Sequence, residues 1–223
     1  MALKEYALMP SQDYQDACDA IREVTGATQL IKSGEMAGLI RSVQAGNEKW
    51  KQNISGETFS LEAADFAGVT KIRESAFVSA PLTTVEIPET ITSIGDFAFE
   101  YSTLTSIWFP ESVSVIPRYV CSNSYVQSAH LGSLTTKISD GAFYSSDLTY
   151  VEIPILVSSI GSRAFSTSYG LTVKMLRSTP PAIEADTFRS QSLTQIIVPK
   201  GASSAYKSAT NWSAFAGFIV EAT

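Results

Sequence analysis

Side chains of the same kind recur every 22 or 23 residues between residues 69 and 199. One column is aromatic with a single exception, and its members are Phe77, Phe99, Cys121, Phe143, Phe165 and Phe188. An isoleucine lies five residues before each member of this column. An apolar residue followed by proline also recurs, at Ile87, Phe109, Ile153 and Val198. Internal repeats of this length indicate a solenoid whose successive coils stack and share one interior.

Each repeat contains a short stretch with the pattern of a half-buried strand. In the stretch LTTVEIP, residues 82–88, we expect Leu82, Val85 and Ile87 to face the interior and Glu86 to face outward. The proline that follows lacks a backbone N–H group, so strand pairing is expected to stop there. Strands from successive coils are therefore predicted to lie side by side in parallel, ~4.8 Å apart.

These columns resemble the BspA-like, or treponemal-type, leucine-rich repeats, whose pattern is close to L-x-x-L-x-L-P-x-x-L-x-x-I-G-x-x-A-F. The third repeat differs most, because Cys121 replaces the phenylalanine and Gly132 stands at the position of the proline. The resemblance implies a curved, strand-lined surface that serves adhesion or protein binding, not catalysis. The predicted fold is mainly β: a right-handed leucine-rich-repeat solenoid of about six 22–23-residue coils with parallel strands, preceded by an α-helical N-terminal appendage.

The residues before the repeats have helical rather than strand patterns. Ser11 is a candidate N-cap and Gly26 a candidate stop for one helix, and Ser33 begins a second with the same pattern. Helices this short cannot form a stable core alone, so they must pack on the solenoid, on another copy or on a partner. We predict that residues 1–57 form a helical anchoring or oligomerisation segment and a connector.

The repeat ends near residue 199, and an aromatic segment follows it. The residues concerned are Tyr206, Trp212, Phe215 and Phe218. Because the open end of a solenoid needs a cover, we predict a leucine-rich-repeat solenoid at residues 58–199 and a C-terminal cap at residues 200–223. An aromatic ligand site is the alternative interpretation of this segment.

Residues 14–43 are similar to a segment of tail and fibre proteins of bacteriophages that infect Gram-positive bacteria. The shared features are A-I-R-x-x-T-G and I-K-S-G-x-M-A-x-x-I. The similarity implies a virion component, assembled in the host cytoplasm, that contacts other virion proteins through its N-terminal helices. We further expect the N-terminal helices to form a homo-oligomer and the repeats to present a binding face to a host cell-surface receptor or to neighbouring virion proteins. The alternative is a bacterial cell-surface adhesin, for which a secretory signal or wall anchor is expected; the first residues do not have that pattern.

Composition and residue types exclude several other functions. The net charge is -6 and no basic cluster occurs, so we expect no nucleic-acid binding. Apolar runs stay shorter than the ~18 residues that a transmembrane helix needs, so no membrane insertion is expected. His130 is the single histidine and the two cysteines lie far apart, so we expect no metal site, no cofactor and no enzyme activity.

The candidate binding residues are the outward-facing side chains of the predicted strands. One outward column contains Glu86, Trp108, His130, Glu152 and Lys174, and the neighbouring outward column contains Tyr150. Exposed aromatic side chains on a solvent-facing sheet are candidate anchors for a partner. Two other interpretations stay open: the N-terminus or another copy covers this face, or Trp108 only stacks on neighbouring strand side chains.

Overall fold

The computed structural model of the protein describes residues 59–66, 68–167 and 170–223. This part of the chain is mainly β-structure with parallel strands and few helices, as predicted. The helical segment predicted at residues 1–57 lies outside the described residues, and it stays a prediction.

Each coil contains one longer and one shorter strand. The longer strands are β1 (Phe59–Leu61), β3 (Leu82–Val85), β5 (Ser106–Trp108), β7 (Ser128–His130), β9 (Tyr150–Ile153), β11 (Leu171–Met175), β13 (Leu193–Val198) and β14 (Ile219–Glu221). The shorter strands are β2 (Lys71–Ile72), β4 (Ser93–Ile94), β6 (Val115–Ile116), β8 (Lys137–Ile138), β10 (Ser159–Ile160) and β12 (Ala182–Ile183). A turn that carries one member of the aromatic column follows each shorter strand.

Successive coils pair through parallel strands on two sides of the solenoid. We number the coils by their strands, so that β1 and β2 belong to coil 1, β3 and β4 to coil 2, and so on to β11 and β12 in coil 6. The longer strands from β5 onward form one six-stranded sheet, and the shorter strands from β6 onward form a four-stranded sheet. The predicted parallel stacking is confirmed, and the handedness of the coils stays a prediction.

The aromatic column forms the interior between the two sets of strands. All its members are buried. The rings stack nearly parallel, with centroids 5.4 Å apart for Phe77 and Phe99, 5.6 Å for Phe143 and Phe165, and 5.8 Å for Phe165 and Phe188. Burial of each phenylalanine contributes roughly 1.5–3 kcal/mol, so this shared interior is a main source of stability.

Cys121 interrupts the aromatic column in coil 3. Its side chain is fully buried, and desolvation raises the pKa of the thiol far above its usual range. The thiol therefore stays protonated and inert, as expected for a small apolar core residue. Phe109 packs edge-on against Phe143, with ring centroids 6.3 Å apart and an interplanar angle of 84°. An aromatic side chain from the strand layer thus packs on the column next to the interruption.

Strand pairing breaks between coils 2 and 3 on both sides of the solenoid. Strand β3 pairs with β1 but not with β5, and β4 pairs with β2 but not with β6. On the side of the shorter strands, the backbone N–H of Gly95 donates to Ile72 at 2.8 Å and that of Ser139 donates to Ile116 at 3.0 Å. Coil 3 carries Pro117 at the equivalent position. Proline has no N–H to donate, which accounts for the gap between β4 and β6.

Side-chain carboxylates of coil 2 hold the backbone of coil 3 at this break. The two carboxylate oxygens of Glu89 accept hydrogen bonds from the backbone N–H groups of Glu111 and Ser112, each at 3.1 Å. Asp96 accepts the backbone N–H of Arg118 at 2.9 Å. The turns also remain joined by backbone hydrogen bonds across the same boundary. Coils 2 and 3 therefore stay stacked although their strands do not form a ladder.

The C-terminal residues cover the last member of the aromatic column. Helix α1 (Ser203–Ser208) and a 3₁₀ helix (Trp212–Phe218) precede β14, which is the edge strand of the six-stranded sheet. The ring of Trp212 lies 5.7 Å from that of Phe188, and its Nε1 donates a hydrogen bond of 2.8 Å to the carbonyl of Pro181. The domain boundaries at residues 58 and 200 stay predictions.

Candidate functional site

The outward side of the longer strands carries the candidate binding residues. Strand pairing places Trp108 opposite His130, Lys174 opposite Glu152, and Tyr150 opposite Ser128. Glu86 follows directly after β3 in the same outward column as Trp108. We call Glu86, Trp108, His130, Tyr150, Glu152 and Lys174 the candidate face.

Strand alternation explains why these side chains point to solvent. Ile107, Val151 and Val173 are buried, and each precedes one member of the candidate face in sequence. Because successive side chains of a strand alternate between the two sides of the sheet, the next residue of each strand must point outward. The inward apolar side chains therefore fix the position of Trp108 and of its neighbours in the column.

Trp108 and His130 form a stacked pair on adjacent strands. Their ring centroids lie 3.6 Å apart and their planes are inclined by 23°. The side-chain stacking that the sequence raised as one interpretation of Trp108 is therefore present. It leaves most of the indole accessible, because Trp108 is 60% exposed. The pair is an aromatic platform on the outward surface of the sheet, and the same outward column continues through Glu152 and Lys174 to Ile197 and Val220.

Glu152 and Lys174 form an ion pair further along the same column. Nζ of Lys174 donates a hydrogen bond of 2.6 Å to Oε2 of Glu152. This hydrogen bond and the negative charge of the carboxylate raise the pKa of Lys174 above its usual value. Both side chains remain partly exposed, so solvent screens the pair and it neutralises local charge more than it stabilises the fold.

Glu86 and Tyr150 lie at the two sides of the stacked pair. The carboxylate of Glu86 is exposed, and within the described part of the chain it has no ion-pair or hydrogen-bond partner. It lies across the break in strand pairing from Trp108, on the side away from His130. Tyr150 is 45% exposed and stands diagonal to His130 on the next strand. Acidic, aromatic and hydroxyl groups thus surround one platform.

The repeated coils and their stacked core agree with the comparison against protein families. A family model described as the BspA type leucine rich repeat region matches residues 53–172 and 136–216, in six copies. The chain belongs to the BspA-type leucine-rich-repeat family. The family resemblance of the repeats is thereby confirmed, and repeats of this type point to protein binding or adhesion. A search of curated proteins finds no match to this BspA-type repeat protein.

The described residues of this BspA-type repeat protein contain neither a cluster of potential metal ligands nor a helix that could span a membrane. Across residues 59–66, 68–167 and 170–223, no three His, Cys, Asp or Glu side chains come together as potential metal ligands. Within the same ranges, no helix has the length and apolar character that crossing a membrane requires. The similarity of residues 14–43 to phage tail and fibre proteins lies outside these ranges and stays a prediction.

Sequence reasoning did not single out four exposed apolar side chains of the BspA-type solenoid. They lie in the segments that follow the longer strands of coils 4 to 6, and they are Leu134, Ile155, Leu156 and Leu176. The signal was available, because Leu134 and Leu156 occupy the same position in successive repeats. Stacking of Trp108 on a neighbouring strand side chain was one of the open interpretations, but only the structure identifies His130 as the partner, because the spacing gives the distance between strands and not the orientation of the rings.

Proposed function

We propose that this protein binds a macromolecular partner through the candidate face of its six-stranded sheet. The observation that carries the proposal is Trp108, which is 60% exposed on a strand whose inward side is packed. Isolated exposed apolar residues are ordinary on protein surfaces, but a large aromatic platform ringed by polar groups is typical of binding sites. Tryptophan and tyrosine are also the residues most often found as energetic anchors of interfaces.

The scaffold behind the candidate face supports this function. The strands that carry Trp108 and Tyr150 are held by buried neighbours and by parallel pairing with adjacent coils. A side chain that is already ordered loses little conformational freedom when a partner binds, so the entropy cost of binding is smaller. The stacked His130 ring further restricts the indole before binding.

We propose a bacteriophage virion as the setting, with the protein as a component of the tail, a fibre or another appendage. The support is the similarity of residues 14–43 to segments of phage tail and fibre proteins. In this setting the N-terminal helices contact other virion proteins or further copies of the chain. The candidate face then meets a host cell-surface receptor or a neighbouring virion protein.

A bacterial cell-surface adhesin is the second candidate function. Membership in the BspA-type repeat family favours it, because such repeats point to adhesion as well as to protein binding. The two settings share the candidate face and differ in location. Antibody labelling separates them: label on purified phage particles supports the virion, and label on the walls of uninfected cells supports the adhesin.

Substitution of Trp108 and Tyr150 by alanine tests the binding function directly. The double variant is expected to lose at least about tenfold in cell adsorption or in incorporation into particles, as for interface anchors. The matched control replaces Tyr101 and Tyr125, two comparably exposed aromatic residues outside the candidate face. Circular dichroism melting should be unchanged in both variants. Adsorption and incorporation equal to wild type in the folded double variant would contradict the proposal.

A further inference from the structure

One face of the Trp108 indole has no ring partner among the described residues, and its direction follows from the strand order. His130 lies on β7 and covers one face of the ring at a centroid distance of 3.6 Å. Strand β5 is the edge of the six-stranded sheet, with β7 paired on one side and β3, which pairs with β1 and not with β5, on the other. The uncovered face of the indole is therefore directed toward β3 and Glu86.

The uncovered indole face looks toward an unneutralised carboxylate. Glu86 is exposed, and no described residue forms an ion pair with it. Glu152, in the same outward column, is already paired with Lys174. The protein as a whole has a net charge of -6. The charge that is missing from this part of the candidate face is a positive one.

We infer that the indole of Trp108 and the carboxylate of Glu86 form a binding site for a basic side chain of a partner protein. The electron-rich face of tryptophan attracts Lys and Arg cations, and arginine is found there most often. The planar guanidinium stacks on the ring while its N–H groups donate to the carboxylate. This inference rests on the proposed function, since it specifies the partner chemistry of the same face.

The column itself contains an example of the pairing that the site requires. Lys174 reaches Glu152 across one coil spacing, with 2.6 Å between Nζ and Oε2. Glu86 and Trp108 are likewise 22 residues apart, and the segment of sequence from residue 87 to residue 107 contains no lysine or arginine. A partner arginine or lysine supplies from outside what Lys174 supplies within the chain.

A neutral sugar is the other common ligand of an exposed tryptophan, and the charge pattern favours the basic side chain. A sugar ring stacks on an aromatic face but does not neutralise a carboxylate. Sugar hydroxyls can donate hydrogen bonds to Glu86, but its charge would stay without a counter-charge beside a surface from which water has been removed, which is less favourable than an ion pair there. A guanidinium satisfies both groups at once, because it offers a flat face to the ring and donors to the carboxylate.

Peptide binding to the full chain tests the inference. The probe is a fluorescein-labelled peptide of alternating arginine and glycine, and its neutral match has citrulline in place of arginine. Anisotropy titrations at low ionic strength should show binding of the arginine peptide and at least about tenfold weaker binding of the citrulline peptide. Glu86→Gln is expected to weaken arginine-peptide binding about three- to tenfold, and Trp108→Ala about tenfold.

A matched acidic control separates the site from general attraction to an acidic protein. Glu74→Gln removes an exposed carboxylate beside the shorter strand β2, away from the candidate face. This variant should bind the arginine peptide within about twofold of wild type, since a distant exposed charge is largely screened. Equal weakening by Glu74→Gln and Glu86→Gln would overturn the inference, and so would equal affinity for the arginine and citrulline peptides.

The outcomes distinguish the inference from the proposed function. If the Trp108 and Tyr150 double variant fails to adsorb while Glu86→Gln adsorbs normally, the binding face stands and the basic partner is wrong. Binding of an N-acetylglucosamine oligosaccharide that needs Trp108 but not Glu86 would likewise overturn the basic partner and identify a glycan. If the double variant adsorbs normally although the arginine peptide needs Glu86, the proposed function fails and the cation site alone remains.

Discussion

Coils 1 and 2 have the same stacked aromatic interior as coils 4 to 6, but their strands form separate sheets. Phe77 and Phe99 stack at 5.4 Å, much as Phe143 and Phe165 stack at 5.6 Å. The longer strands of the first two coils nevertheless form a separate two-stranded sheet, and so do their shorter strands. A regular side-chain repeat therefore does not ensure a continuous ladder, because each ladder bond depends on one particular N–H group being present.

The break between coils 2 and 3 bears on both stability and function. In a solenoid each coil is stabilised chiefly by its neighbours, so the boundary with the fewest backbone bonds is expected to open first. The same break leaves one face of Trp108 without a neighbouring strand partner. The candidate face thus lies where the backbone regularity of the solenoid is interrupted.

Truncating a phenylalanine of the aromatic column is expected to give the largest difference in stability between coils 1 and 2 and the coils after the break. Phe143→Ala removes a ring that contacts Phe109 on one side and Phe165 on the other. It should lower the free energy of unfolding by about 3–5 kcal/mol, the usual range for buried phenylalanine. Phe77→Ala, in coil 1, should have a smaller effect because Phe99 is its single ring partner among the described residues. Urea unfolding measures both, and equal losses would contradict the comparison.

Replacing Thr135, in the region of continuous strand ladders, is expected to stabilise the fold, and by less than the phenylalanine truncation destabilises it. Its hydroxyl is buried and has no hydrogen-bond partner among the described residues. The equivalent positions of other coils hold apolar side chains, namely Ile91, Val113 and Val157. Thr135→Val should raise the free energy of unfolding by about 1–2 kcal/mol, because the shape is kept and the unsatisfied hydroxyl is removed.

The control for this prediction is the next residue in the chain. Thr136 is exposed, and its hydroxyl donates to the carbonyl of Ser114 at 3.0 Å. Thr136→Val should therefore be neutral or mildly destabilising. Destabilisation by Thr135→Val in urea unfolding would mean that the buried hydroxyl has a partner, for example an ordered water.

Replacing the proline at the break should make the two regions more alike. Pro117→Ser restores a backbone N–H in coil 3 that can donate to the carbonyl of Ile94, as the N–H of Ser139 in coil 4 donates to the carbonyl of Ile116. The new hydrogen bond adds about 1 kcal/mol, and the loss of the stiff proline from the unfolded chain offsets about 0.4–1 kcal/mol. Global stability should therefore change little, whereas hydrogen exchange near Ile94 and Ile116 should slow. Unchanged exchange at both sites would show that Pro117 is not the cause of the break.

The smallest effect concerns acid pH and the boundary between coils 3 and 4. Glu111 accepts hydrogen bonds from the backbone N–H of Ser133, from its hydroxyl and from the N–H of Leu134, and these lower the pKa of the carboxyl. A carboxyl with a lowered folded-state pKa stabilises the fold above its usual pKa, and this contribution is lost as pH falls through the folded value. The thermal midpoint should therefore fall less steeply below about pH 4.5 in Glu111→Gln than in wild type. Identical pH profiles would remove this role of Glu111.

The sequence predicted the solenoid well because its evidence is chemical and periodic. The aromatic column and the inward residues Leu82, Val85 and Ile87 are all buried, as their spacing indicated. The outward position of Trp108 followed from the same alternation. The Glu152–Lys174 ion pair, and the partner and ring geometry of the Trp108 stacking, could not be predicted, since a register brings strands together but leaves the rotamers open.

By itself the sequence determined the coil length, the composition of the interior and which side chains face outward. It could do so because the free energy gained by burying apolar side chains is roughly proportional to the buried area and does not depend on fine geometry. Only the tertiary structure decided that both ladders stop between coils 2 and 3, which carboxylates accept backbone N–H groups of the next coil, and which face of Trp108 the ring of His130 covers. Hydrogen bonds and ring contacts are directional, and they form or fail over a few tenths of an ångström between coils that lie 22 residues apart.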